Sequence, residues 1–127
     1  MSPVDRFLAA VTAATIPQAD VWCADATLDA TVPNWRRRVR GAGEIRRVFA
    51  AWYADPGAFE EIERTPVGPG GELVQFLLTW TEHGVPHAAH QAHVIRLSGD
   101  RISDHVVYCG GRWPAGLLAR MAEMGDG

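Results

Sequence analysis

The 127-residue chain has few of the features that announce a function by themselves. It has two cysteines, Cys23 and Cys109, far apart and in no metal or redox spacing, so both are expected to stay reduced. No apolar run approaches the roughly 20 residues needed to cross a bilayer, so no membrane partner is expected. There is no excess of positive charge: 12 basic against 15 acidic residues leave a net charge of −3. That balance gives no global attraction to nucleic acid or to an anionic surface. The one basic run, Arg36-Arg37-Arg38-Val39-Arg40, is short and reads as a solvated loop, contact with an anionic group being its other use. Repeats, low-complexity tracts, linkers, phosphate-cradling glycine loops and nucleophile elbows are all missing. The stretch SPVDRFLAAVTAAT has an early Asp and no clear basic leader; it reads as a helix rather than a secretory signal, and the chain as cytoplasmic.

What is present is an ordinary globular composition, 47% hydrophobic and 21% charged with five Trp, and it predicts a single domain over 1–127. Ser2 can cap a helix that starts at Pro3, and Val4, Phe7, Leu8 and Val11 recur at helical spacing. A short helical turn around Ala19 to Cys23, anchored by Trp22, leads to a strand from Thr27 to Val32. After a loop from Trp35 to Gly41, residues 42 to 54 read as a helix with Ile45, Val48, Phe49 and Trp52 inward. Asp55-Pro56-Gly57 stops it. Phe59 to Val67 and three further strands, 72–82, 85–98 and 101–109, follow, with a closing helix from about Pro114 to Met124. This order predicts an α+β fold with helices packed on one face of a curved antiparallel sheet.

The stretch from 72 to 109 carries the most functional information. His83-Gly84 and Gly99-Asp100 are good two-residue hairpin turns, and alternation then assigns every side chain to a face. One face collects Val74, Phe76, Leu78 and Trp80; His87, Gln91, His93 and Ile95; and Ile102, Asp104, Val106 and Tyr108. It is the bulkier apolar set and is expected against the helices. The other face suits solvent or a homodimer contact. An apolar face with several convergent polar groups predicts the lining of a small-molecule pocket.

The ADATLDATVP segment after two helices, the Gly41-to-Trp52 helix and the closing hairpin VIRLSGDRISDHVVY together resemble a known superfamily. It is that of nuclear transport factor two, ketosteroid isomerase and the SnoaL-like polyketide cyclases, and the resemblance spans essentially the whole chain. It implies a cone-shaped barrel, a curved sheet wrapped around helices and enclosing a hydrophobic pocket. The isomerase's helix tyrosine falls at Phe7, its general-base aspartate at Ala30 and its second aspartate at His93. Two of its three groups are therefore apolar here, which argues against that mechanism. The cyclase, dehydratase and epoxide-hydrolase branches often use Asp, His and Tyr on the late strands, and those residue types are present.

His93, Asp104 and Tyr108 are thus the candidate catalytic residues: His93 as acid or base, Asp104 to orient it or act alone, Tyr108 to donate to a substrate oxygen. Each also has a purely structural use, as a core histidine, a solvated carboxylate or a hydrogen-bonded core tyrosine. Phe76, Trp80, His87, Gln91, Trp35 and Trp52 are candidate substrate-binding residues. HAAHQAH suggests a metal site, but on a strand His87 and His93 lie about 20 Å apart and His90 points to the opposite face. No metal and no cofactor is expected. The chain reads as a cofactor-independent acid–base enzyme, a cyclase, isomerase, dehydratase or epoxide hydrolase, acting on a hydrophobic polyketide- or terpenoid-like compound. The competing reading is a non-catalytic ligand-binding or protein-interaction module of the same fold.

Overall fold

The computed structural model describes residues 1–125. Helix α1 (Pro3–Ala13) starts where expected: the Ser2 side chain accepts from the Asp5 amide while Asp5 returns a bond to the Ser2 amide, with Pro3 at the first helical position. A 3₁₀ turn (Ile16–Gln18) leads into β1 (Trp22–Val32), so Trp22 opens a strand instead of anchoring a helical turn. The segment read as a loop is strand β2 (Trp35–Arg40), paired antiparallel with β1 from Val32 and Trp35 outward. Helix α2 (Ala42–Trp52) follows, then β3 (Gly57–Pro66), β4 (Gly71–Glu82), β5 (Val85–Ser98) and β6 (Arg101–Cys109). A two-residue β7 (Trp113–Pro114) and helix α3 (Ala115–Met124) follow.

The fold is α+β, with α1 and α2 packed into the concave side of a curved sheet ordered β2-β1-β6-β5-β4-β3, and with β7 added to β5. Two details differ from expectation. The sheet is mixed, because β1 runs parallel to β6, and it stays open, with β2 and β3 at its edges, instead of closing into a barrel. A parallel pair needs a long connection between its strands; here that connection is everything from Pro33 to Asp100.

The β4–β5 register is the one the turn chemistry predicts, from Glu82 opposite Val85 to Gly71 opposite Arg96. Both turn residues, His83 and Gly84, have positive φ, as a primed hairpin turn requires. The β5–β6 hairpin begins in the predicted register, Ser98 opposite Arg101 and Leu97 opposite Ile102. A β-bulge then intervenes: Arg96 pairs with Asp104, and Ser103 is the extra residue, its hydroxyl donating to the Arg96 carbonyl at 3.2 Å. From there on every side chain of β6 lies on the face opposite to that predicted. His105 and Val107 point into the core, 1% and 0% exposed, while Tyr108 lies 57% exposed on the convex face.

Candidate functional site

The inward side chains of the late strands meet helix α2 around a cavity of about 400 Å³. Its walls are apolar: Val32 at the end of β1, Trp52 at the end of α2, Leu78 and Trp80 on β4, and Ala89 on β5. Its polar lining comes from Tyr53, Gln91, Cys109 and Arg112. Gly111, at φ +107°, a conformation that favours glycine, turns the chain there and brings Arg112 to the cavity. The Arg112 guanidinium lies 5.6 Å from the centre of the Trp80 ring and forms an ion pair with Glu82.

Behind the cavity runs a buried chain of polar groups. The Trp22 indole N–H donates to His105 Nδ1 at 3.2 Å, His105 Nε2 lies 2.8 Å from His93 Nδ1, and His93 Nε2 lies 3.0 Å from Gln91 Oε1. The Tyr53 hydroxyl donates to the same Gln91 oxygen at 2.5 Å and lies 3.4 Å from His93 Nε2. The Gln91 amide in turn donates to Cys109 Sγ at 3.3 Å. Aromatic rings enclose the pair of imidazoles: Phe7 and Phe49 each have their centroid 5.0 Å from His105, and Phe76 stacks on His93 at 5.1 Å. This dry setting keeps both imidazoles and the Tyr53 phenol neutral at pH 7. Burial pushes His93 down to about 3, burial and then the neighbouring His93 hold His105 well below 6.5, and burial holds the Tyr53 phenol well above 10.

The candidate residues can now be placed one by one. Trp80, Gln91 and Trp52 line the cavity. His93 faces inward, as expected, and touches the cavity only through Gln91 and Tyr53. His87 stacks on Trp80 at 5.6 Å and lies 2.9 Å from the Val85 carbonyl through Nδ1. Phe76 belongs to the core, against His93 and Phe59, and does not line this cavity. Three placements are corrected. Asp104 lies on the outer face, where it accepts from Thr27 at 2.9 Å and has the Ser103 hydroxyl 3.1 Å away. Tyr108 is on that face too, and the bulge at Ser103 is the cause of both. Trp35 is 68% exposed on the edge strand β2, away from the cavity. The grouping of His93, Asp104 and Tyr108 in one hollow is therefore overturned.

Four residues escaped the sequence reading. Tyr53 was legible: it stands four residues after Phe49 and eight after Ile45, on the buried stripe of α2 and just past its last turn. His105 and Cys109 came inward only through the bulge, which leaves no clear mark in the turn residues. Arg112 owes its position to the Gly110-Gly111 turn. Among the described residues, no group of three or more His, Cys, Asp or Glu side chains is arranged to hold a metal ion, and no helix is long and apolar enough to cross a membrane.

No family model and no curated protein matches the sequence. Solved structures do match the fold. An NTF2-like protein from Anabaena variabilis superposes with a TM-score of 0.71 at 14% identity, over 86% of this chain and 84% of that one. A Catenulispora acidiphila protein with a ketosteroid isomerase-like fold, in complex with trimethylamine, gives 0.64 at 20% identity over 85% of each chain. An LEH-like epoxide hydrolase of M. tuberculosis gives 0.64 at 16% identity, over 84% of this chain and 79% of that one. The chain has the NTF2-like, ketosteroid isomerase-like fold; at these identities the likeness carries the fold alone.

Proposed function

We propose that this chain binds a small, uncharged, mostly apolar molecule in the cavity between α2 and the late strands. The observation that carries the reading is the cavity itself: about 400 Å³ with aromatic and aliphatic walls and a polar cluster of Tyr53, Gln91 and Cys109 in its lining. Apolar walls supply affinity, while a few placed polar groups orient the ligand and select among skeletons. Tyr53 and the imidazoles behind it are neutral, and the guanidinium of Arg112, the charged group in the lining, is already paired with Glu82, which favours an uncharged ligand.

An enzymatic use of the same pocket is the second reading, favoured by two observations. The fold is shared with an LEH-like epoxide hydrolase, and Tyr53, Gln91 and Arg112 bring polar groups to the cavity wall, where a substrate oxygen can be held. Among the described residues that line the cavity there is no carboxylate, so a substrate would have to be activated by hydrogen bonding from Tyr53, Gln91 or Arg112. Isomerisation or epoxide opening of a polyketide- or terpenoid-like compound would fall in this class.

Native mass spectrometry of the purified protein, followed by extraction of whatever remains bound, tests both. An apolar compound released unchanged, and rebinding with quenching of Trp52 and Trp80 fluorescence, supports the carrier reading. Conversion of that compound by wild type but not by Tyr53→Phe supports the enzyme. No saturable binding of any apolar compound would remove the basis of both.

A further inference from the structure

The hydrogen-bond polarity of the pocket traces back to a residue that does not line it. An indole N–H is only ever a donor, so the Trp22 contact requires His105 Nδ1 to be bare of its proton. His105 is neutral, so its one proton sits on Nε2 and points at His93 Nδ1, which must accept it. The proton of His93 is then on Nε2 and points at Gln91 Oε1. That fixes the amide as well: a flipped Gln91 would set two N–H groups against each other. With its oxygen held there, the amide takes the proton of Tyr53 and turns its nitrogen to Cys109. One donor at the far end orients His105, His93, Gln91 and Tyr53 in turn.

The geometry assigns Trp22 the role of a positioning residue that makes Tyr53 a hydrogen-bond acceptor toward the ligand, so that the pocket prefers an uncharged hydroxyl compound to the carbonyl compound of the same skeleton. The Tyr53 proton is committed to Gln91, and what the phenol oxygen has left is lone pairs. A ligand hydroxyl can donate to that oxygen and accept from the second Gln91 amide proton. A ketone oxygen brought to the same place can accept from Gln91 but has no proton to give, so it sets its lone pairs against those of Tyr53 and makes one bond fewer. The reverse chain, with His93 Nε2 bare and drawing on the Tyr53 proton, is the arrangement that would ready the phenol for acid–base work. It requires a proton on His105 Nδ1, where the Trp22 N–H already points. Trp22 is 1% exposed and lies outside the cavity lining, so its hydrogen-bonding influence runs through His105 and His93, while its packing reaches Tyr53 through the Phe49 ring. The preference rests on the reading of the cavity as a ligand pocket; the direction of the chain does not.

Two measurements separate these. Long-range ¹H–¹⁵N correlation spectra of the ¹⁵N-labelled protein report which ring nitrogen carries each proton. Both His93 and His105 are expected as the Nε2–H form between pH 6 and 8, and an Nδ1–H signal at either overturns the assignment. Titration calorimetry with 1-tetralol and 1-tetralone, a matched alcohol and ketone, is expected to favour the alcohol by about three- to tenfold, the worth of one net hydrogen bond. In Trp22→Phe the tautomers become mixed and the ratio falls toward one. Equal affinities in wild type, or a ketone preference, overturn the proposed selectivity and leave the pocket reading standing. If neither probe binds, the pocket reading and the selectivity fall together while the spectra still decide the role of Trp22. Should Trp22→Phe not fold, the wild-type spectra and the wild-type ratio still decide.

Discussion

Two imidazoles in direct contact inside an aromatic shell make stability depend on pH in a definite direction. His93, at about 3 in the folded chain against 6.5 in the open chain, is neutral when folded and takes up a proton on unfolding anywhere between those values. In that window the unfolded state binds more protons, so stability is complete above about pH 6.5 and falls as the pH drops toward 3. The loss is about 1.4 kcal/mol per pH unit for one such group, and His105, displaced in the same direction, adds to it. Urea denaturation at pH 7, 6, 5 and 4 is expected to show a steep loss of stability below pH 6. His105→Phe, which removes one proton-binding group but strands the Trp22 donor, is expected to flatten the slope while lowering the plateau. An unchanged slope would mean that the imidazoles already share solvent. Tyr53→Phe probes the other end of the chain. Gln91 Oε1 then keeps only its bond from His93, and thermal unfolding is expected to show a cost of about 1 kcal/mol. Affinity for a hydroxyl-bearing ligand should fall while the aromatic packing of ring 53 on Phe49 is retained.

At the scale of the element, the bulge in β6 is the feature on which the site turns. It supplies one residue more than β5 requires, and because side chains alternate strictly, one residue decides whether His105 or Asp104 is inside. A chain lacking Ser103 would pair Ile102 with Leu97 and Asp104 with Arg96 in regular alternation, leaving His105, Val107 and Cys109 inward. It is expected to fold with the same core and to lose about 1 kcal/mol or less, with the two buried histidine signals unchanged by NMR. Removing Val106 instead leaves no such slack. It would turn Val107 out of the core and Tyr108 into it, and Val107 alone is worth about 1.5–3 kcal/mol of burial. The same logic explains how far the sequence could be read. Turn chemistry at His83-Gly84 gave the β4–β5 register, and with it the inward set Trp80, Gln91 and His93, because those turn residues permit one hairpin geometry. Gly99-Asp100 set the start of the next hairpin equally well, but a bulge three residues later is a tertiary choice. Burying an unpaired Asp104 is costly, and the strand avoids it by spending a residue. The charged run at β2 was unreadable as a strand for a related reason: its side chains are mostly exposed, so no apolar alternation marks it.

For the whole molecule, the open curved sheet matters more than any single group, because the cavity exists only where α2, the strands β4 to β6 and the turn after β6 fail to meet. A fold that leaves about 400 Å³ unfilled forgoes packing contacts that a ligand can restore. Ligand linkage gives this a measurable form: a molecule bound only by the folded chain stabilises it by about 2.7 kcal/mol at a hundredfold excess over its Kd. Ala89→Phe offers the matching control. Ala89 is 2% exposed and lines the cavity, so the added ring is expected to occupy ligand space rather than press into close-packed core. The variant should unfold at or slightly above the wild-type temperature without ligand and gain nothing when 1-tetralol is added, whereas wild type should show a concentration-dependent rise. A variant that still responds to ligand would place binding somewhere other than this cavity. A marked loss of unliganded stability would mean that the hollow is narrower in solution than the open arrangement of the sheet implies, and that the wall at position 89 is already in contact across it.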